Sequence, residues 1–210
     1  MFGAVLLGDL IRSSRKDPET VDATMRELVQ AVGSLGKIAG ENHFTRFRGD
    51  GWQLVTLRPE ISLRIALAMI ARLGSRSALS TRIAIGIGNI DDLAGGNLGA
   101  ASGSAFLRSG QLLDQMSPKR RIVLAGAPSA AAPWVDGLLH LLEFIAERWS
   151  PPQAEAIEMA LAPGWDVQAD LAARLGITKQ AIGSRLKGAG YPAVASALDA
   201  FEKFGWERPQ

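Results

Sequence analysis

Residues 44–57, FTRFRGDGWQLVTL, are two short runs of bulky residues around Gly49-Asp50-Gly51. The pattern reads as a β-hairpin, because Gly and Asp accept the backbone angles of a tight turn. What flanks it sets the fold. Upstream, residues 2–7 (FGAVLL) form a continuous apolar run, ended by Gly8-Asp9, which predicts a strand buried on both faces. Between that strand and the hairpin, Asp17-Pro18-Glu19 is a helix start, with Asp17 as cap and Pro18 at the first helical position. Val21, Met25, Leu28, Val29 and Val32 continue it at helical spacing. Downstream, Ile61, Ile65, Leu67, Ala68 and Ile70 predict a second helix, and residues 82–88 (RIAIGIG) another strand. A helix over 105–116 and a last strand over 121–125 follow. The order is β-α-β-β-α-β and then α-β, the split βαβ arrangement of a ferredoxin-like sheet with additions. The expectation is an α+β chain whose antiparallel or mixed sheet carries its helices on one face.

Residues 126–133 (GAPSAAAP) hold two prolines and no charge, which reads as a linker. The expected division is a ferredoxin-like domain over 1–126, a linker at 127–133 and a helical domain over 134–210. In that second part helices are predicted over 135–149, 151–161, 167–175, 178–187 and 193–204. Residues 168–187, QADLAARLGITKQAIGSRLK, carry the pattern of a helix-turn-helix. Leu171, Ala172 and Leu175 make an inner face, with small Ala172 where the next helix crosses. Gly176 suits the turn, where a left-handed backbone is easiest without a Cβ. Ile177 plugs the angle, Thr178 caps the next helix, and Ala181, Ile182 and Leu186 face inward. The outward groups are Thr178, Lys179, Gln180, Ser184, Arg185 and Lys187, with no acid among residues 178–187. Such a face suits phosphates and base edges of double-stranded DNA. A plain helical hairpin with a solvated basic face is the simpler alternative. One copy would bind weakly, so a homodimer on a two-fold site is the expected form.

Composition bounds the rest. The 210 residues are 47% hydrophobic and 21% charged, which excludes wholesale disorder. Lys plus Arg exceeds Asp plus Glu by two, too small a surplus to identify a nucleic-acid binder by charge alone. No apolar run approaches the roughly 20 residues of a membrane span, and the opening MFGAVLLGDLIRSSR meets Asp9 too early for a signal peptide. No membrane association and a cytoplasmic location are expected. Cysteine is absent, so no thiolate metal site exists. His43 and His140 are far apart in sequence. The glycines at 86, 88, 95, 96 and 99 form no phosphate-loop fingerprint and read as a bend and a loop.

Two aspartates stand out. Asp9 follows the first strand and Asp50 sits in the hairpin turn. In a split βαβ sheet the first strand is central, so the two carboxylates converge on one edge. Paired carboxylates without His or Cys suit Mg²⁺ or Mn²⁺. Arg12, Ser13, Ser14 and Arg15 lie in the loop after the first strand and offer hydroxyls, backbone N–H groups and cations to a phosphate. Taken singly, each Asp also suits an ordinary turn.

Together, residues 4–10 (AVLLGDL) with Ser14-Arg15, FTRFRGDGWQLVTL, RIAIGIG and Gly103-Ser104-Ala105-Phe106 resemble the SatD family of bacterial proteins over nearly the whole chain. Residues 1–125 also resemble class III nucleotidyl cyclase catalytic domains. That resemblance implies a ferredoxin-like core, two metal ions held at the positions of Asp9 and Asp50, and a bound nucleotide. The cyclase pattern places a base-selecting Lys on the strand before the hairpin, where Phe44 stands with Arg46 two residues on. It places an Asn and an Arg on the helix after the glycine strand, where Ser104 and Arg108 stand. The leading expectation is a DNA-binding transcriptional regulator whose cyclase-like domain binds a metal-nucleotide or dimerises. The alternative is a divalent-metal-dependent nucleotidyl- or phosphoryl-transfer enzyme, and the third reading is a ligand-free dimerisation scaffold.

Overall fold

The structure is a computed structural model, and it describes residues 1–47, 49–126, 132–163 and 168–206. Five strands form one mixed sheet: β1 (Phe2–Leu10), β2 (Asn42–Phe47), β3 (Gly51–Thr56), β4 (Thr81–Asn89) and β5 (Ile122–Ala125). Their order is β2-β3-β1-β4-β5. β1 pairs antiparallel with both β3 and β4, β2 pairs antiparallel with β3, and β4 pairs parallel with β5. Eight α-helices accompany the sheet among the described residues: α1 (Pro18–Ser34), α2 (Ser62–Ser75), α3 (Ser104–Gln115), α4 (Ala132–Ala146), α5 (Pro151–Leu161), α6 (Gln168–Leu175), α7 (Lys179–Gly188) and α8 (Tyr191–Lys203). The chain is thus a mixed α+β fold with β1 central, as the element order predicts.

Local chemistry explains the boundaries. Asp17 caps α1, its carboxylate accepting the Thr20 N–H at 2.7 Å, and Pro18 takes the first position, where no N–H is needed. Hydrogen bonding by Thr20 holds the Asp17 carboxyl below the usual carboxylate range. The strand expected to stop at Gly8-Asp9 runs on to Leu10. Gly8 stays in the sheet because a Cβ there would strike the Trp52 indole, so its bareness makes room for a buried ring. Asp9 is therefore inside β1, opposite Gly51 on one side and Arg82 on the other.

The sheet is covered on both faces, not on one. Ala4, Leu6, Leu10, Trp52, Leu54, Ile83, Ile85 and Ile87 point toward α1 and α2. The opposite face carries Val5 and Val55 and packs on Ala105 of α3. The reason lies in β4, where Ile83, Ile85 and Ile87 alternate with Ala84, Gly86 and Gly88. The glycines are not a bend. At Gly86 a Cβ would run into the Ala105 carbonyl and reach within 2.6 Å of the Ser109 nitrogen, so α3 lies directly on the strand.

Residues 127–131 of the expected linker lie outside the described residues, and Ala132 and Pro133 already belong to α4. Residues 164–167, with Trp165, also lie outside them. Past the seam the helices share the core of the sheet: Val135, Leu139, Ile157, Leu161, Leu198 and Phe201 are in one buried cluster with α1 and α2. Arg72 of α2 joins the layers, reaching Glu27 of α1 at 2.5 Å and the buried Glu158 of α5 at 2.8 Å. Burial works against the Arg72 charge, but hydrogen bonds to Glu158 and Glu27 outweigh it and leave the guanidinium above its ordinary range. No helix among the described residues is long and apolar enough to cross a membrane.

Close packing of α3 yields a stability prediction. Gly86→Ala should lower unfolding free energy by about 1–3 kcal/mol in urea titration, because the added methyl must push backbone rather than a flexible side chain. Gly110→Ala, inside α3 where a Cβ meets nothing, should be neutral or stabilising by up to about 1 kcal/mol. Equal effects at both positions would contradict the packing.

Candidate functional site

Asp9 and Asp50 meet at one end of the sheet. The β1–β3 register places Asp9 across from Gly51, and the Leu10 N–H donates to the Asp50 carbonyl at 3.1 Å. The side chains are already engaged. Arg82 makes a two-pronged pair with Asp9, its Nε donating to Oδ1 at 2.9 Å and its Nη2 to Oδ2. The Ser13 hydroxyl donates to the Asp50 carboxylate. Hydrogen bonds from Arg82 to Asp9 hold the guanidinium above its ordinary range against partial burial, and the charges of Asp9 and then Asp50 add to the effect. One arginine therefore answers to both carboxylates.

The backbone beneath is fixed by a buried relay. The Trp52 indole N–H donates to the Thr81 hydroxyl at 2.9 Å, and that hydroxyl donates to the Asp9 carbonyl at 2.8 Å. Neither Arg82 nor Thr81 stands out in the sequence by type. Parity was the available signal: Arg82 shares the face of Ala84, Gly86 and Gly88, and antiparallel pairing brings that face to Asp9.

The remaining residues of the expected nucleotide site are dispersed. Ser13 is buried and committed to Asp50, whereas Arg12, Ser14 and Arg15 are exposed in the loop above. Arg12 itself takes a left-handed backbone (φ 59°), uncommon for a residue with a Cβ. Arg46 points away, pairing with Asp22 of α1 at 2.5 Å and with the Gly49 carbonyl at 2.6 Å. Arg108 donates to the Ile87 carbonyl at 2.6 Å, beside the end of β4 that pairs with Gly3. At about 3.4 Å per residue, that is roughly 17 Å along the strand from Asp9. Among the described residues no third His, Cys, Asp or Glu joins Asp9 and Asp50. The donors are hard oxygens, which suit Mg²⁺ or Mn²⁺, but Arg82 must withdraw from Asp9 before the pair can hold a cation. A cavity of about 530 Å³, lined by Leu73, Ser77, Thr81, Arg121, Glu143 and Trp149, lies on the α2 side of the sheet, and Asp9, Asp50 and Arg82 are not among its lining residues. Its volume is that of a small-molecule pocket.

The second region is built on α6 and α7. The Ile177 N–H donates to the Ala172 carbonyl at 3.0 Å, and Gly176 takes φ 64° at the turn. Thr178 caps α7, accepting the Ala181 N–H at 3.1 Å. Leu171, Ala172, Ile182 and Leu186 are buried, while Thr178, Lys179, Gln180, Ser184 and Lys187 are exposed. Arg185 departs from the expected outward face: it is half-buried and pairs with Glu155 of α5 at 3.2 Å.

The chain matches no family model and no curated protein, so neither comparison supports the SatD resemblance. Among solved structures it is similar to a bacterial light-regulated adenylyl cyclase, at 10% identity and a TM-score of 0.38. The match covers 59% of this chain and 43% of the other, so this chain spans less than half of that protein's length. A likeness of that depth assigns no chemistry to this chain.

Arg82 supplies the test of the carboxylate pair. Arg82→Gln removes the cation that Asp9 now holds and leaves two like charges together, which favours an incoming cation. Mn²⁺ affinity, read by electron paramagnetic resonance, should rise about tenfold, equivalent to about 1.4 kcal/mol. Absence of Mn²⁺ binding in both forms would make the two aspartates purely structural.

Proposed function

We propose that the protein is a DNA-binding transcriptional regulator in which α6 and α7 act as a helix-turn-helix and α7 is the recognition helix. The observation that carries the reading is the exposed face of α7. Lys179, Gln180, Ser184 and Lys187 are open, no acid interrupts them, and the opposite side of the helix is anchored by Ile182 and Leu186. The helix start is fixed by Thr178, which orients the face. Double-stranded DNA offers the matching phosphates and base edges. The working form is a homodimer on a two-fold site, because one short helix reads too few base pairs alone. The division at residues 127–133 is then one of role: residues 1–126 form a ferredoxin-like, nucleotidyl cyclase-like sheet that senses or dimerises, and residues 134–210 meet DNA.

Fluorescence anisotropy with labelled duplex tests this. Binding should weaken with salt, and Lys179→Ala with Lys187→Ala should lower the slope of log K against log salt by about 2, roughly 0.9 per lost phosphate contact. Arg185→Ala should change the slope less, since its charge is spent on Glu155. A chain that shows no salt-sensitive duplex binding is not a regulator of this kind.

A second reading is favoured by Asp9, Asp50 and Arg82 at one sheet end: a divalent-metal-dependent nucleotidyl- or phosphoryl-transfer enzyme. When bound, Mg²⁺ or Mn²⁺ would supply charge neutralisation for phosphate oxygens there. Asp9 and Asp50 would hold it. Arg82, released from Asp9, and exposed Ser14 and Arg15 would receive phosphates. Binding to the folded state raises the melting temperature with ligand concentration. ATP or GTP with Mn²⁺ should do so only together, and Asp50→Asn should abolish the shift. A silent Asp50→Asn and an unmoved melting curve would remove this reading. Appearance of a cyclic or hydrolysed nucleotide would separate an enzyme from a sensor.

A further inference from the structure

The cavity of about 530 Å³ at the end of α2 belongs to neither site described above. Its walls come from both parts of the chain. Ile70 and Leu73 of α2, Ala78 and Arg121 line it on one side, and Ala146, Glu147, Trp149 and Ala154 line it from the junction of α4 and α5. Local bonds fix these walls. The Trp149 indole N–H is spent on the Ala189 carbonyl at 2.8 Å, so its ring is held in place. The buried Glu143 carboxylate accepts from Arg120 Nε at 3.0 Å and from the backbone N–H groups of Arg121 and Ile122 at 2.9 and 2.6 Å. Small side chains at Ala78, Ala146 and Ala154 leave the space between them unfilled.

We propose that this cavity binds a small zwitterion with an apolar body, the chemistry of an α-amino acid with an aliphatic or aromatic side chain. The charges on its walls match the two ends of such a molecule. Arg121 and Glu147 have side chains 31% and 48% exposed, with Nε and Oε1 3.5 Å apart. That separation exceeds the roughly 2.9–3.0 Å of a good N–H···O bond, and an ion pair so open to water is worth little. Among the described residues the Arg121 guanidinium makes no hydrogen bond. Glu143, one helical turn before Glu147, is already answered by Arg120. The open charges are therefore one cation and one anion. A ligand carboxylate takes the planar fork of Arg121, and a ligand ammonium takes Glu147. Opening the pair then strands neither charge, because the ligand pairs each of them again. A simple carboxylate would leave Glu147 alone, and a simple amine would leave Arg121 alone. The apolar body leaves water for Ile70, Leu73, Ala78 and the Trp149 ring. The volume is ample for an aromatic side chain.

The site goes beyond the regulator and transferase readings and stands without either, since no residue of α7 and neither Asp9 nor Asp50 lines it. Titration of the full chain tests it, followed by calorimetry and by the indole N–H resonances. The probes are L-leucine, L-methionine, L-phenylalanine and L-tryptophan, each beside its deaminated acid and its decarboxylated amine. At least one amino acid should bind with a Kd of about 1 mM or tighter, and its two single-ended counterparts about tenfold or more weakly. The Trp149 resonance, identified by its loss in Trp149→Phe, should move. That of Trp206, bonded to the Phe201 carbonyl, should stay. Arg121→Gln should weaken the amino acid about tenfold and leave the amine unaffected, and Glu147→Gln should weaken it and leave the acid unaffected. Both side chains are partly open, so circular dichroism should not change. Ala78→Leu, at a half-buried lining position, should abolish binding while the melting temperature holds or rises. A Trp149 resonance unmoved by all four amino acids at about 10 mM overturns the proposal. Equal binding of an amino acid and its single-ended counterparts (an apolar pocket only) overturns it too. So does binding that survives both Arg121→Gln and Ala78→Leu, which places the ligand elsewhere.

Discussion

A helix with no wet side organises the molecule. Leu63, Ile65, Ala66, Leu67, Ala68, Met69, Ala71 and Leu73 of α2 are all buried, and they point in every direction around its axis. Such a helix is stable only when covered all round. The sheet and α1 cover one part and α5 another, with Gly74 letting Ala154 approach. Arg72 leaves this apolar cylinder between Glu27 and Glu158, and Arg64 leaves it toward Glu202. A buried ion pair of that kind adds little net stability over an apolar substitute, but losing one partner strands the other charge. It therefore acts as a register pin between three helices.

The site inherits its geometry from that arrangement. β4 starts six residues after α2 ends, so the seating of α2 sets where Thr81 and Arg82 enter the sheet. Thr81 then ties the Asp9 carbonyl to Trp52, and Arg82 closes on the Asp9 carboxylate. The same helix supports α5, which holds Arg185 through Glu155 and so shapes what α7 shows to solvent.

Much of this was readable from residue order. The Asp17-Pro18 start, the Gly49-Asp50-Gly51 hairpin and the Gly176 turn each rest on local backbone chemistry, and local chemistry is what sequence records best. The meeting of Asp9 and Asp50 at one sheet end follows from the strand order, once β1 is central. What escaped was non-local. Gly86 and Gly88 look like punctuation until α3 is seen lying on them. Arg82 looks like an ordinary strand residue until the register sets it beside Asp9. Arg185 looks like part of an open basic face until Glu155 arrives from another helix. In each case the deciding partner lies about twenty or more residues away.

The all-round burial of α2 also bears on how the chain emerges during synthesis. α2 is complete at Ser75, whereas α5, its outer cover, begins at Pro151. At about 5–20 residues per second the interval is roughly 4–15 s, long beside the microseconds of helix formation. For that time the sheet half carries a greasy helix flank that only later residues can shield. The Pro- and Ala-rich stretch separates two segments in sequence, but the first of them reaches its final solubility only when the second has been made.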